Sequence, residues 1–353
     1  MIINRLIFKQ IYQGSLLALL VLVSLSLFFV FIGELEDVGR GSYSALNAIE
    51  YVALLFPGKV VEFLPLAVLL GTILSLGSLA SNSEIIAMQA AGFSLNSMLK
   101  AVIQAALIIA VLSFLLADWV VPHSETSARQ NRSAAINETT AVSGKKGIWI
   151  KDDAGILHIK WLMPNGIAQD IEIYTLDSAG NLVSVIAAES AIPKGNYWRL
   201  LKVRETRFKD DVPQSYSYDE LSYQGKISDK LLDALLIEPR QMSSSDLFTY
   251  IDFLQQNNLN AYIERLTFWQ KIFAPIAVII MCILAVPFVL GSQRQGNAGQ
   301  RLMYGILLGL CYVVTERLFS QLGTRFGIYP VLNAFIPGFI FLSLAVFLLI
   351  KKK

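Results

Sequence analysis

The hydrophobic and polar positions of the chain fall into three blocks, because a polar segment from His123 to Arg265 lies between two apolar segments of similar build. Each flank carries three apolar runs, such as LLALLVLVSLSLFFVFI before the polar segment and IFAPIAVIIMCILAVPFVLG after it. A helix of about 20 apolar residues crosses the hydrocarbon core of a bilayer. The pattern therefore predicts six membrane-spanning helices, at about residues 15–32, 62–80, 100–121, 268–291, 302–322 and 328–350.

The polar segment has the composition of β-structure, with β-branched and aromatic residues in partial alternation. Six stretches predict strands: GIWIK, GILHIKWLM, AQDIEIYTL, NLVSVIAAESAI, YWRLLKVRETRF and QSYSYDELSY. Turn sequences separate them, at residues 152–155, 164–166, 178–181 and 194–196. Short strands at this spacing favour an antiparallel sandwich or an open jelly roll.

From Ser243 the hydrophobic period changes to that of a helix. The sequence Ser-Ser-Ser-Asp predicts a capped helix over LFTYIDFLQQ, and a second helix from about Asn260 is expected to run into the fourth span. The predicted fold class is an α-helical membrane protein with six transmembrane helices (3+3) and an inserted periplasmic all-β, jelly-roll-like domain. The predicted domains are residues 1–122 for helices 1–3, 123–265 for the β domain with its connecting helices, and 266–353 for helices 4–6.

The orientation follows from the lysines and arginines of the short loops, which concentrate on the cytoplasmic side. One side carries Arg5, Lys9, Lys100, Arg294, Arg301, Lys351, Lys352 and Lys353, and the other carries only Arg40, Lys59 and Arg325. Both termini are therefore predicted to be cytoplasmic in a multi-pass inner-membrane protein, and the polar segment to be periplasmic. No small-residue cleavage site follows the first run, which favours a retained anchor over a signal peptide.

Composition narrows the function classes. Apolar residues make up 54% of the chain and charged residues 16%, well below the globular average of about 25% for charged residues. A net charge of +2 offers no basic surface for nucleic acid. Cys282 and Cys311 both lie in apolar runs, so the polar segment is expected to fold without disulfides.

The sequence carries few candidates for catalysis. The nearest approach to a phosphate-binding G-x-x-x-x-G-K-S/T loop, Gly291 to Gly296, is followed by Asn297 and Ala298 and lacks the lysine and the hydroxyl. His123 and His158 are the only histidines, and no G-x-S-x-G motif is present. The chain is therefore predicted to be non-catalytic and to bind no cofactor or metal of its own.

The loop between spans 2 and 3, SNSEIIAMQAAGFSLNSMLK, predicts a short helix at about residues 82–92. Ser81 and Glu84 have the spacing of a capping box, and Gly92 is placed to end the helix. Two interpretations stay open for its face of Ile85, Ile86, Met88 and Gln89. It is either a surface turn in which Glu84 caps the helix, or a docking helix for a cytoplasmic protein.

Charged and small residues in or near the spans are further candidates. Glu316 and Arg317 lie inside span 5, where charges usually face a cavity or a partner, although snorkelling to the interface is the alternative. Arg129 and Arg132 lie three apart on a predicted outward extension of span 3, and their forked guanidinium groups suit phosphate or anionic head groups. Pairs of small residues at four-residue spacing predict close helix packing, within the chain or with a second subunit. They are Gly71 and Ser75, Gly77 and Ser81, and Gly305 and Gly309.

The chain resembles the lipopolysaccharide export permeases LptF and LptG over its whole length. SEIIAMQAAGFS is similar to the coupling-helix segment of that family, and GSYSAL, LLGTILSLGSLA and the GIW that opens the β domain resemble the LptG branch more closely than the LptF branch.

The resemblance implies a permease of an ATP-driven exporter that extracts lipopolysaccharide or lipooligosaccharide from the outer leaflet of the inner membrane. The implied partners are a second, LptF-like permease, two copies of an LptB-like ATPase that binds ATP and magnesium, an LptC-like bitopic protein and an LptA-like periplasmic bridge. The residues implied to couple to the ATPase are Glu84, Ile85, Ile86, Met88, Gln89 and Gly92. The candidate lipid-binding residues are Arg40, Lys59, Arg129, Arg132, Glu316, Arg317 and Arg325. The inward face of the β domain is then expected to be apolar and incompletely packed.

The segment after span 1 departs from the family, since it carries Glu34, Glu36 and Asp37 where lysines are expected. Either other cations contact the lipid here, or the lipid has a different charge pattern. Two other function classes remain open. A lipid-modifying enzyme would use acids such as Glu34, Asp37, Glu62 and Asp118, and a mechanotransmission or signalling subunit would be driven by the same ATPase without carrying lipid.

Overall fold

The computed structural model describes residues 2–136, 148–152, 155–162, 167–177, 181–194, 197–209, 212–223, 239–256, 260–291 and 298–351. The glycine-rich segment at 292–297 and most of the predicted turn residues, including 164–166 and 178–180, lie outside the described residues. The chain divides into two compact units. The helical unit comprises Met1–Glu36, Ile49–Ala128 and Tyr262–Lys353, and the β unit comprises Asp37–Ala48 and Arg129–Ala261.

Long helices account for most of the helical unit. The α-helices of the described residues are α1 Ile2–Leu35, α2 Ala45–Ser81, α3 Glu84–Ala90, α4 Leu95–Leu115, α5 Val121–Ile136, α6 Ser244–Gln256, α7 Tyr262–Gly291, α8 Ala298–Phe326 and α9 Pro330–Ile350. Of these, α6 and the second half of α5 belong to the β unit. A π-helical turn, Leu116–Val120, joins α4 to α5 without a break, so the predicted helical extension of span 3 forms. Six helices in the described part of the chain are long and apolar enough to cross a membrane, which confirms the predicted spans.

Small residues allow α2 to pack closely against two other helices. A side chain on Gly71 would meet the backbone of Gly14 and Ser15 in α1. On α8, Gly305 faces Leu70 and Ile73, and Gly309 faces Leu66. The small-residue positions therefore serve packing within this chain, one of the two alternatives that the sequence left open.

All six predicted strands form, and they make one antiparallel sheet. They are β1 Ile148–Asp152, β2 Gly155–Leu162, β3 Ala168–Leu176, β4 Leu182–Pro193, β5 Trp198–Lys209 and β6 Val212–Tyr223, paired in the order β1-β2-β3-β4-β5-β6. The class of an all-β domain inserted between membrane helices is confirmed. Within the described residues the strands form a single meander, without the second sheet of a sandwich.

One face of the sheet is apolar and buried. Its residues belong to a cluster that includes Leu157, Ile159, Ile171 and Ile173, each at most 2% exposed, and Tyr250 and Phe253 of α6 pack against this cluster. The expectation of an incompletely packed face is therefore wrong for these residues, because large side chains of a helix cover the sheet. Helix α6 begins as predicted, since the Ser243 hydroxyl accepts a hydrogen bond from the Asp246 amide at 3.1 Å.

The opposite face of the sheet carries an aromatic and acidic cluster at the β1 edge. The rings of Trp149 and His158 stack with centroids 4.1 Å apart, and Tyr174 donates to Glu172 at 2.5 Å. This hydrogen bond, with a smaller effect of His158, lowers the pKa of Glu172, and it raises the pKa of Tyr174 to about 12. The pair therefore stays a carboxylate and a neutral phenol throughout the physiological pH range.

Candidate functional site

Helix α3 is a seven-residue helix between α2 and α4, and its two isoleucines face different surroundings. Ile85 is 2% exposed and belongs to the same buried cluster as Met98 of α4. Ile86 is 50% exposed, and Gln89 is also exposed. The predicted face is therefore divided: one isoleucine fastens α3 to the helical unit, and the other is presented to solvent.

The end of α3 is set by Gly92, as predicted. Gly92 has a φ of +87°, and the amides of Gly92 and Phe93 donate to the carbonyls of Gln89 and Met88. This is the Schellman arrangement that favours glycine, since other residues are strained at positive φ.

The start of α3 differs from the prediction. Ser81 is still the last residue of α2, and its hydroxyl donates to the Ser78 carbonyl at 2.9 Å, so it does not cap α3. The N-cap is Ser83, with a φ of 60° and no side-chain cap hydrogen bond. The predicted capping box is wrong because Ser81 is still part of α2 and therefore does not cap α3. Glu84 opens α3 and is partly exposed.

A buried arginine connects α8 to the end of α2 that precedes α3. The Arg301 guanidinium donates to the Gly77 carbonyl, and the arginine side chain is in the space that a side chain on residue 77 would enter. Arg301 is 7% exposed. Sequence reasoning used Arg301 only for orientation, although Arg301, Gly305 and Gly309 follow one another at four-residue intervals, which is a signal that they share a helix face.

Two candidate lipid-binding cations in the β unit share one carboxylate. Arg40 donates to Oδ1 of Asp37 at 2.6 Å, and Arg132 donates to Oδ2 of the same residue. The Arg132 guanidinium also lies 6.0 Å from the ring centroid of Tyr43. Asp37, one of the acids that depart from the family pattern, is thus the direct partner of the predicted site residues Arg40 and Arg132.

The neighbouring candidate, Arg129, contacts a different group. Its Nε donates to the side-chain oxygen of Gln241 at 2.8 Å when that amide is oriented with its oxygen toward the arginine. Gln241 is 4% exposed, so this contact holds Arg129 at a buried acceptor. Arg129 and Arg132 therefore leave α5 toward separate partners, although they lie three residues apart on one helix.

In the helical unit, acids and lysines form separate pairs. Lys59 pairs with Glu62 at 2.7 Å. Asp118, in the π-helical turn, lies 3.8 Å from Lys271 of α7, and both side chains are less than one-fifth exposed. Glu62 and Asp118 are thus each paired with a different lysine.

The charged residues of α8 point in different directions. Glu316 lines a small cavity of about 30 Å³ between α7, α8 and α9, together with Phe273, Tyr312 and Phe335. The adjacent Arg317 is exposed, as expected for neighbours about 100° apart on a helix. Arg325 is exposed near the end of the same helix. Of the predicted lipid-binding residues, only Arg40 and Arg132 share a partner among the contacts described above.

Comparison with known proteins gives consistent results over the full length. The sequence model of the family described as lipopolysaccharide export system permease LptF/LptG matches residues 5–351. The lipopolysaccharide export system permease protein LptG of Haemophilus influenzae is 32% identical over 354 residues, which cover 99% of each chain. The protein of the same name from Escherichia coli K12 is 31% identical over 356 residues, covering 99% of this chain and 98% of the relative.

Proposed function

Because the chain belongs to the LptF/LptG family of lipopolysaccharide export system permeases, we propose that it extracts lipopolysaccharide from the outer leaflet of the inner membrane as the permease of an ATP-driven exporter. The protein is a multi-pass inner-membrane transporter. In this proposal both termini are cytoplasmic, the β unit is periplasmic, and the lipid passes by way of the β unit to a bridge toward the outer membrane.

The energy for extraction comes from a partner in this proposal. Removing acyl chains from a bilayer costs about 0.8 kcal/mol for each CH₂ group that leaves it, so a lipid with several chains needs coupling to hydrolysis. The sequence carries no nucleotide-binding loop of the P-loop type. The chain therefore contributes movement, and a cytoplasmic ATPase contributes ATP and magnesium binding.

Helix α3 is the observation that carries this assignment. Its buried Ile85 fixes it to the core of the helical unit, and its exposed Ile86 and Gln89 form a contact surface with partly exposed Glu84 at one end. A helix fastened on one side and open on the other can transmit the displacement of a docked protein to α2 and α4. We assign the coupling role to Glu84, Ile85, Ile86, Met88, Gln89 and Gly92.

The partners proposed for the chain are a second, LptF-like permease, two ATPase copies, an LptC-like bitopic protein and an LptA-like periplasmic bridge. Purification of the tagged chain from its native membrane is expected to recover the ATPase and the second permease. The recovered complex should release lipopolysaccharide from proteoliposomes only with ATP. Nucleotide hydrolysis by the purified chain alone, or lipid release without ATP, would contradict the proposal.

The proposed lipid contacts are the cations Arg40, Lys59, Arg129, Arg132, Arg317 and Arg325, with Glu316 as a polar group of the path. Among them, Arg129 and Arg132 give the clearest test of lipid contact, because both extend from one helix that continues a membrane span. Guanidinium groups bind phosphate through two parallel hydrogen bonds, which gives them both affinity and orientation.

Replacing Arg129 and Arg132 together with glutamine is expected to reduce lipopolysaccharide capture about tenfold, since two charge-assisted hydrogen-bonding groups are lost. Glutamine is preferable to glutamate because it does not set a new carboxylate against Asp37. Capture is measured by a photoreactive residue at exposed Gln130, between the two arginines.

The matched control replaces Arg5 and Lys9 with glutamine. Both residues are exposed and lie near the start of α1, so this variant removes the same charge on a different helix. This control should leave crosslinking at residue 130 unchanged. Equal crosslinking in the test and control variants would remove both arginines from the lipid path.

A further inference from the structure

Asp37 forms a bridge between two arginines that approach from different elements. Arg40 follows it in the segment after α1, and Arg132 lies 95 residues away on α5. Each guanidinium group donates to a different carboxylate oxygen. Both oxygens of Asp37 are therefore engaged, and the two cations are held around one anion.

The environment of this bridge strengthens it relative to a surface pair. The side chains of Asp37 and Arg132 are 18% and 27% exposed, while Arg40 is 64% exposed. Tyr43, whose ring lies beside Arg132, is 2% exposed. A partly dehydrated pair is less screened by water and salt than an exposed one, so any ligand of Arg132 has to compete with Asp37.

The backbone around Asp37 is held by contacts that do not involve its side chain. The amide and hydroxyl of Ser42 both donate to the Ala135 carbonyl, at 2.7 and 2.9 Å. The amide of Gly39 donates to the Tyr43 carbonyl at 2.9 Å. The segment therefore has anchors to α5 besides the carboxylate of Asp37.

Resting on the proposed function, we propose that Asp37 is an internal counter-ion that exchanges with a lipid-borne phosphate on Arg132 and Arg40. A carboxylate and a phosphate both accept paired hydrogen bonds from guanidinium groups, so they compete for the same donors. When the phosphate enters, Asp37 is displaced, and when Asp37 returns, it favours release of the lipid. A transporter needs this second step, because a site that binds too tightly does not pass its substrate on.

The exchange makes a prediction that a structural role does not. Asp37→Asn removes the competitor and leaves the arginines, so the complex of this chain with its co-purified permease and ATPase should bind lipopolysaccharide roughly three- to tenfold more tightly. The same variant should release lipid more slowly in the proteoliposome assay. If Asp37 only holds the loop in place, binding and transport both fall.

Four comparisons isolate the source of the gain. Glu36→Gln removes the same charge one residue away at an exposed position, and it should change neither lipopolysaccharide binding nor the rate of lipid release. In an Arg132→Gln background, Asp37→Asn should bring little or no gain, since the donor it exposes is gone. Phosphatase-treated lipopolysaccharide should bind the wild-type and Asp37→Asn complexes equally, and inorganic phosphate at the lipid's concentration should not compete.

The outcomes separate this proposal from the one on which it rests. Unchanged or weaker lipopolysaccharide binding by Asp37→Asn overturns the counter-ion exchange, and so does a gain that persists without Arg132. Full competition by inorganic phosphate overturns the lipid as source of the phosphate. Failure of the wild-type complex to bind lipopolysaccharide at all would instead overturn the proposed function.

Discussion

Glu84→Lys is expected to abolish lipopolysaccharide transport by the assembled exporter while the chain still inserts and pairs with the second permease. Glu84 is the first residue of α3, the helix whose exposed residues are proposed to meet the ATPase. Reversing a charge in such a contact costs about 2 kcal/mol or more, which is roughly 30-fold in affinity. The measurements are the amount of ATPase that co-purifies and the rate of ATP-dependent lipid release.

The lysine also acts on α3 itself, because a cation at a helix N-terminus opposes the helix dipole. Glu84→Gln separates the two effects, since it removes the charge without adding a cation, and it should weaken docking less than Glu84→Lys. Asn96→Lys is the matched control, because it adds a lysine at an exposed position in the first turn of α4, outside α3. Wild-type docking and transport by Glu84→Lys would show that α3 is an ordinary surface turn.

The features predicted correctly from the sequence depend on local pattern. Apolar runs of span length predict membrane helices whatever surrounds them, and alternation with turn residues locates strands. Gly92 is predictable for the same reason, since a positive φ at a helix end selects glycine. The capping box at Ser81 failed because two local rules competed, and the continuation of α2 prevailed.

The features that sequence reasoning missed depend on residues far apart in the chain. Asp37 and Arg132 are separated by 95 positions, and Arg301 and Gly77 by 224. In the sequence Asp37 is only a departure from a family pattern, and Arg132 is only a cation on a predicted helix. The competition between them is visible only once the fold brings the segment after α1 against α5. The covering of the sheet by α6 is missed for the same reason.

The close packing of α1 on α2 makes Gly71 a position where substitution should strongly destabilise the helical unit. Helices approach as closely as their smallest facing residues permit, and in a bilayer this packing replaces the hydrophobic effect as the source of association. At Gly71 the neighbours are backbone atoms of Gly14 and Ser15, which cannot rotate aside as the end of a flexible side chain can. An added side chain there has to separate the two helices.

Gly71→Val is therefore expected to destabilise the helical unit by about 3 kcal/mol or more, at the upper end of the range for overpacking a well-packed interior. The amount of the variant in membranes should fall well below the wild-type level. In detergent, the variant should no longer elute as a monodisperse peak or show the wild-type thermal transition. Gly14→Val should behave alike, because a side chain there would meet Gly71 and Ser75. Gly33→Val is the matched control on α1, since a side chain at Gly33 has nothing within 4 Å, and it should accumulate normally. Normal stability of Gly71→Val would mean that α1 and α2 do not meet at this position.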